Sequence, residues 1–337
     1  MGSLNPNTLK VAGVVTFYMS AALVMVFVNK AVLIQAPQLP LLFLFNQLII
    51  AVVLLHASAA FSKSIQIPRL DLQVARKLLP VVSVNIIGLV FNTLCLRGVE
   101  ASFFQIARGM QLPLTIFISS LNTHSTPSTR VIAAAAIVTC GFFVGIAPNS
   151  SIPITASPSL LSLFYGLLSS LFIAVHAVLI KSSLPHCDNS TIQLAWWTNA
   201  GSAILILPFI LLNGETGVIL EMVKRGDKEL NVFAWGSLVT GVFGFLLCVA
   251  GLLSIKVTSP ITHMFSSQAA RSVIQTLLGV WLFRDLLTIN RGSSILIILG
   301  GTMYYTWVKS NEQPPPPPRQ PVDLEATGRE DKDKSAN

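Results

Sequence analysis

KVTSPITHMFSSQAARSVIQTLLGVWLFRD, from Lys256 to Asp285, is the stretch on which the fold of this chain turns. Its second half is apolar enough for a bilayer, while Ser259, Thr262, His263, Ser266, Ser267, Gln268, Arg271 and Gln275 crowd the rest. A segment of this length between long apolar runs reads as a membrane helix. An arginine near the middle of such a helix costs several kcal/mol unless it faces a polar cavity or a partner. No acid lies in the middle of any apolar run to pair with it. Arg271 is therefore expected to line a watery site that holds an anion.

Composition agrees. Of 337 residues, 53% are hydrophobic and 11% charged, with mean hydropathy +0.70; soluble domains carry about 25% charged residues. The fold class expected is an all-α polytopic membrane protein. The net charge of +8 is scattered, and no basic cluster interleaved with aromatics points to nucleic acid. Cytosolic loop lysines and arginines account for it. Cys95, Cys140, Cys187 and Cys248 share no metal-ligand spacing, and three lie in apolar runs as small hydrophobes. No Ser-His-Asp, Cys-His or paired-carboxylate arrangement suggests an enzyme, and no cofactor or metal is implied. The apolar runs hold too few acids to make proton coupling the obvious mechanism. The short polar N-terminus before a long apolar run does not read as a cleavable signal.

Ten apolar runs follow one another, near 11–33, 41–61, 74–96, 103–121, 131–147, 160–180, 194–212, 233–255, the stretch quoted above, and 289–308. Prolines 40, 113, 185, 208 and 260 sit at or inside them, where kinks are expected. Lys63, Arg69, Arg76 and Lys77 crowd the link between runs two and three, which makes that link cytosolic and places both termini in the cytosol. The loop from Gly214 to Asn231 breaks this charge pattern, with cations and acids mixed. Pro314 to Pro318 open a tail of mixed charge that should be disordered. The expected organisation is a cytosolic N-terminus at 1–10, five-helix repeats at 11–147 and 159–309, and a tail at 310–337.

The repeats are faint but visible. LCLRGVEASFFQ (Leu94 to Gln105) lies over LLSIKVTSPITH (Leu252 to His263), and Phe17-Tyr18 corresponds to Phe164-Tyr165. Five helices per half puts the second half inverted in the membrane. Inverted repeats are the signature of alternating-access transporters, with the site at their interface near the midplane. Arg108 in SFFQIARGMQLPLT is the counterpart of Arg271 on the corresponding helix, although it aligns with Ser266, five residues or about 7.5 Å short. Two guanidiniums on opposite halves would grip a diphosphate, because their forks match phosphate oxygens bidentately.

At these residues the chain resembles a family. VFGFLLCVAGLLSIKVTSPITHMFSSQAARSVIQT, ILGGTMYYTWV, Val28-Asn29-Lys30, PRLDLQVARKLLP, FNTLCLRGV and ASFFQIARG look like the GDP-fucose transporters of the Golgi. These form part of the nucleotide-sugar branch of the drug/metabolite transporter superfamily. The resemblance implies ten helices in two inverted repeats, exchange of cytosolic GDP-sugar for lumenal GMP, and a Golgi membrane location, with the endoplasmic reticulum as alternative. Its implied partners are a nucleotide sugar, a nucleoside monophosphate and the bilayer, with room for a homodimer. The substrate-binding residues it suggests are Lys30, Gln105, Arg108, Trp197, Asn199, His263, Ser267, Gln268, Arg271 and Gln275. The sequence departs from the family where an FYNN-like motif is matched by Trp196-Trp197-Thr198-Asn199, and where the usual Gly-Thr and Lys are matched by Ser267-Gln268 and Arg271. Lys30 could equally snorkel to the interface, and His263 could instead pack helices through a hydrogen bond. Asn85 and Asn92 are expected to bridge helices, and Gly241, Gly244, Gly251, Gly300 and Gly301 to be close-packing positions. Two other classes are an organic-phosphate exchanger of triose-phosphate type and a non-transporting membrane scaffold.

Two sequons test the orientation. Asn149-Ser150-Ser151 falls in a link expected in the lumen and Asn189-Ser190-Thr191 in one expected in the cytosol. Asn189 should never carry glycan in expressed protein, as read by mass shift on deglycosylation; glycan there would reverse the topology.

Overall fold

The computed structural model describes the backbone of residues 6–62, 65–147, 159–257 and 260–312. The side chains it describes are those of the same residues without 6–12, 14–15, 18, 181, 248–257 and 260–271. The helices are α1 (Pro6–Gln35), α2 (Pro40–Phe61), α3 (Leu72–Gly98), α4 (Ala101–Ala107), α5 (Gln111–Thr123), α6 (Thr129–Ile146), α7 (Leu160–Ser183), α8 (Thr191–Leu212), α9 (Glu215–Arg225), α10 (Lys228–Val257), α11 (Pro260–Phe283) and α12 (Ile289–Glu312). Among the described residues there is no strand. Of these helices, α2, α3, α6 and α8, with Leu160–Ile180 of α7 and Lys228–Leu247 of α10, are long and apolar enough to cross a membrane.

Local chemistry sets the helix starts. Ser128, Ser159 and Ser190 each accept from the backbone N–H three residues on, at 3.4, 3.1 and 3.3 Å, and Asp71 accepts from Gln73 N at 2.8 Å. These residues satisfy first-turn donors that lack intrahelical partners. Gly226, at φ 68°, ends α9 in the left-handed conformation that glycine adopts without a Cβ penalty.

The structure corrects two expectations. The fourth apolar run is two helices, because Pro113 has no N–H to give the Gly109 carbonyl and its ring would crowd that carbonyl. The helix stops at Ala107 and restarts at Gln111, where Pro113 sits in a first turn whose donors are unpaired anyway. Residues 214–231, read as a loop, contain the amphipathic helix α9.

α1 packs on α10 and α11, α2 on α8 and α10, α3 on α7 and α8, α5 on α7, α4 on α11, and α6 on α12. The α6–α12 contact is close because Gly141 and Gly145 leave room. A Cβ on Gly141 would lie 3.0 Å from Ile298 N, and one on Gly145 2.4 Å from Ser294 Oγ. Small residues one turn apart permit such approach between apolar helices. Gly241 and Gly301 are likewise tight, against Ile50 and Val138, whereas Gly244 is in ordinary contact and Gly300 faces open space. Gly251 lies outside the described side chains. Asn85 Nδ2 donates to Ser202 Oγ at 3.1 Å and Ser169 Oγ to Asn92 Oδ1 at 3.5 Å, so both asparagines bridge helices.

One end of the bundle is held by charged side chains on the ends of other helices. Glu215, with no exposed surface, accepts from Leu41 N at 3.2 Å and Leu42 N at 2.7 Å, and from Asn213 Nδ2 at 2.9 Å. It thereby caps α2 from a distance, complementing the positive end of the helix dipole. Glu215→Ala would leave two partly buried donors at the start of α2 without an acceptor and should lower unfolding stability by roughly 1–3 kcal/mol. Thermal denaturation in detergent, with Glu215→Gln falling between, checks this.

Candidate functional site

The break between α4 and α5 places Arg108 at the point where the helix is interrupted. Gly109 N donates to Ile106 O at 2.8 Å and Gln111 N to Arg108 O at 3.0 Å, so the chain turns tightly before α5 begins. Arg108 Nη2 donates to Gln111 Oε1 at 3.3 Å, and its guanidinium lies 5.5 Å from the centre of the Phe104 ring. Interrupted membrane helices are common at transporter binding sites because backbone groups and a helix end become available there.

α4 meets α11 through two glutamines. Gln105 Nε2 donates to Gln275 Oε1 at 2.6 Å, and Gln275, fully buried, donates through Nε2 to Ala101 O at 3.0 Å. The two helices run antiparallel: Ser102 sits beside Gly279, and Gln105 beside Gln275. On α11, position 271 lies one turn before Gln275, and Arg108 follows the end of α4. His263, Ser267, Gln268 and Arg271 are carried by α11, and their side chains lie outside the described residues.

Lys30 is buried and does not snorkel. Its Nζ donates to the carbonyls of Leu96 (3.0 Å), Arg97 (3.3 Å) and Val99 (2.6 Å), the last turn of α3. An ammonium has three N–H groups, and a cation at a helix C-terminus opposes the negative end of the dipole.

Beside it lie further charges at helix ends. Asp285 Oδ2 accepts from Ser102 N at 2.7 Å at the start of α4. Arg291 pairs with Glu100, donates to Leu286 O at 2.6 Å and lies over the Phe103 ring at 5.1 Å. These residues adjoin helix ends, where a charge reads from sequence as solvated.

A cavity of about 160 Å³ lies between α1, α2, α3, α8 and α10. It is mostly apolar, with Gln47, Asn199 and Thr240 as its polar lining. Asn199 Nδ2 donates to Ala195 O at 2.7 Å. Trp197 is buried with Trp196, Leu55, Leu78 and Val82 in an apolar cluster that packs α8 on its neighbours. Gln47 and Thr240 were not singled out from the sequence; the available signal was a pair of amides, Asn46-Gln47, inside the second apolar run.

A bundle of apolar helices, one of them interrupted beside an arginine, is an arrangement that membrane transporters use. The chain matches the Triose-phosphate Transporter family over residues 9–306, and it belongs to that family. It is 30% identical over 305 residues to GDP-fucose transporter 1 of Dictyostelium discoideum, covering 88% of this chain and 80% of that protein. It is also 30% identical over 314 residues to GDP-fucose transporter 1 of Mus musculus, covering 90% and 84%. With the protein named GDP-fucose transporter, Golgi, of Drosophila melanogaster it shares 26% identity over 312 residues, covering 89% and 90%.

Lys30→Met would leave the carbonyls of Leu96, Arg97 and Val99 at the end of α3 without a charged donor. Hydrogen bonds to charged groups contribute roughly 1.5–3 kcal/mol, so the ligand-free protein should lose stability on that order. The thermal midpoint without nucleotide measures it.

Proposed function

We propose that this chain is a nucleotide-sugar antiporter that carries a GDP-sugar, GDP-fucose-like, into the Golgi lumen in exchange for GMP by alternating access. The observation that carries the reading is the Gln105–Gln275 contact between α4, which Arg108 follows, and α11, which carries Arg271. There a diphosphate would be held between guanidiniums from two halves of the chain. Asn199, at the end of the stretch that matches the family's base-recognition motif, lines the cavity and is assigned to the base. His263, Ser267 and Gln268 are assigned to the sugar and phosphate end of the ligand by their place on α11. Lys30, Gln105, Gln275 and Trp197 frame the site in this state. The relatives' names support the substrate class, and the Drosophila name supports the compartment.

The packing supports ten crossings in two inverted repeats, with α4 and α5 together as one crossing and α9 as none. Exchange α1 with α7, α2 with α8, α3 with α10, α5 with α11 and α6 with α12. The α1–α10 contact then becomes α7–α3, α2–α10 becomes α8–α3, and α1–α11 becomes α7–α5, while α2–α8 and α6–α12 map onto themselves. Ten crossings return both termini to the cytosol, with the charged ties around Glu215 and Asp285 on the lumenal side.

Counterflow into proteoliposomes preloaded with GMP, UMP or CMP tests the reading against a panel of nucleotide sugars. Uptake of GDP-sugars driven by GMP is expected. Exchange of phosphate and triose phosphates alone would favour the organic-phosphate class that the family name suggests, and no exchange would favour a scaffold. Loss of either arginine should weaken nucleotide-sugar binding about ten- to a hundredfold, from charge-assisted bonds of roughly 1.5–3 kcal/mol. Arg271→Lys should keep part of the activity and Arg271→Gln little. Arg108→Lys should do more harm than Arg271→Lys, because an ammonium cannot copy the fork. Folded Arg108→Ala and Arg271→Ala proteins with wild-type ligand stabilisation would overturn the clamp.

A further inference from the structure

The amide of Gln47 has its orientation fixed by its neighbours. Nε2 donates to Asn29 Oδ1 at 2.9 Å and to Thr240 Oγ1 at 3.0 Å. Thr240 Oγ1 gives its own proton to Gly236 O at 2.7 Å, so towards Gln47 it can only accept. The group facing Thr240 must be the NH2, and both its protons are used. Oε1 is left as an acceptor on a side chain that is about nine-tenths buried and lines the cavity. No donor among the described residues faces it.

Asn199, across the same cavity on α8, is oriented by the same logic. Its Nδ2 is turned to the Ala195 carbonyl, which can only accept, and Oδ1 is left for the cavity. An otherwise apolar space of about 160 Å³ thus holds two amide oxygens as acceptors, one from α2 and one from α8.

We propose that Gln47 is a specificity-determining residue of this transporter, with Oε1 accepting from the donor edge of a guanine whose other donor is read by Asn199. This rests on the nucleotide-sugar reading above and names a base contact on α2 that the motif on α8 does not include. Guanine presents two adjacent donors, N1–H and the exocyclic amino group. Adenine, of the same size, presents a lone pair at N1 and only a C–H at C2, where guanine has its amino group; its own amino group sits on the other side of N1, where guanine has a carbonyl. Two fixed acceptors match the first and set lone pair against lone pair with the second. Buried polar groups left unpaired are what give a site its strongest discrimination. Asn29 and Thr240 are positioning residues, acting through the orientation of the Gln47 amide.

The test is stabilisation of the purified full-length protein by GMP and by AMP, read as the concentration giving a half-maximal thermal shift. Wild type should prefer GMP by about a hundredfold, and Gln47→Leu should narrow that ratio to below about tenfold by weakening GMP, since a guanine donor would then be buried without an acceptor. Should Gln47→Leu not fold, Thr240→Val carries the test. It keeps Gln47 but removes one of the two acceptors that orient its amide, and should narrow the ratio partway. A folded Gln47→Leu or Thr240→Val protein with the wild-type ratio overturns the proposal and leaves the nucleotide-sugar reading standing. A wild type stabilised equally by UMP and CMP, or by no nucleotide, overturns the base reading itself before any variant is made.

Discussion

The bond from Ser102 N to Asp285 Oδ2 ties the start of α4 to the segment between α11 and α12, 183 residues away in sequence. Around it, Arg291 pairs with Glu100 and Lys30 gathers the last carbonyls of α3. An isolated charge in such surroundings would be expensive. Each of these is given either a counter-charge or a helix end, where unsatisfied N–H or C=O groups concentrate partial charge. Removing one member leaves the others without compensation, so the cluster constrains the helices as a set. In consequence α1, α3, α4, α11 and α12 are registered against one another at one end of the bundle.

The break after Ala107 depends on that registration. A seven-residue helix is too short to be stable by its own propensity. α4 is fixed instead by Asp285 at its start, by the Gln105–Gln275–Ala101 bonds along its length, and by Phe103, Phe104 and Ile106 in the core. Pro113 lacks the N–H that would extend the helix across the break, and the chain turns at Arg108. Cross-chain hydrogen bonds therefore position the arginine, not local sequence preference.

At the cavity between α1, α2, α3, α8 and α10 the same economy of polar groups holds. Gln47, Asn29 and Thr240 form a chain of hydrogen bonds among α1, α2 and α10, in which every proton of the Gln47 amide and the Thr240 hydroxyl has an acceptor. Buried networks of this kind are rigid when satisfied. The walls beside them are apolar, so the few polar atoms left over define what the cavity can recognise.

The sequence by itself determined the helical membrane class and nearly all the helix positions. Hydrophobic run length and intramembrane charge are local properties and need no partner to be read. The contacts of Lys30, Glu100, Asp285, Arg291 and Glu215 were not legible, because a charge beside a loop looks the same whether it meets water or the end of a distant helix. Nor was the polar role of Gln47, since one amide in an apolar run carries no sign of which atom is turned outward. The split of the fourth run was hinted at by Pro113, but a proline within an apolar run can kink, end or merely decorate a helix. Only the tertiary structure decided these points. It alone brings α4 beside α11 in antiparallel register, fixes which protons of each amide are already taken, and so determines which groups remain for a ligand.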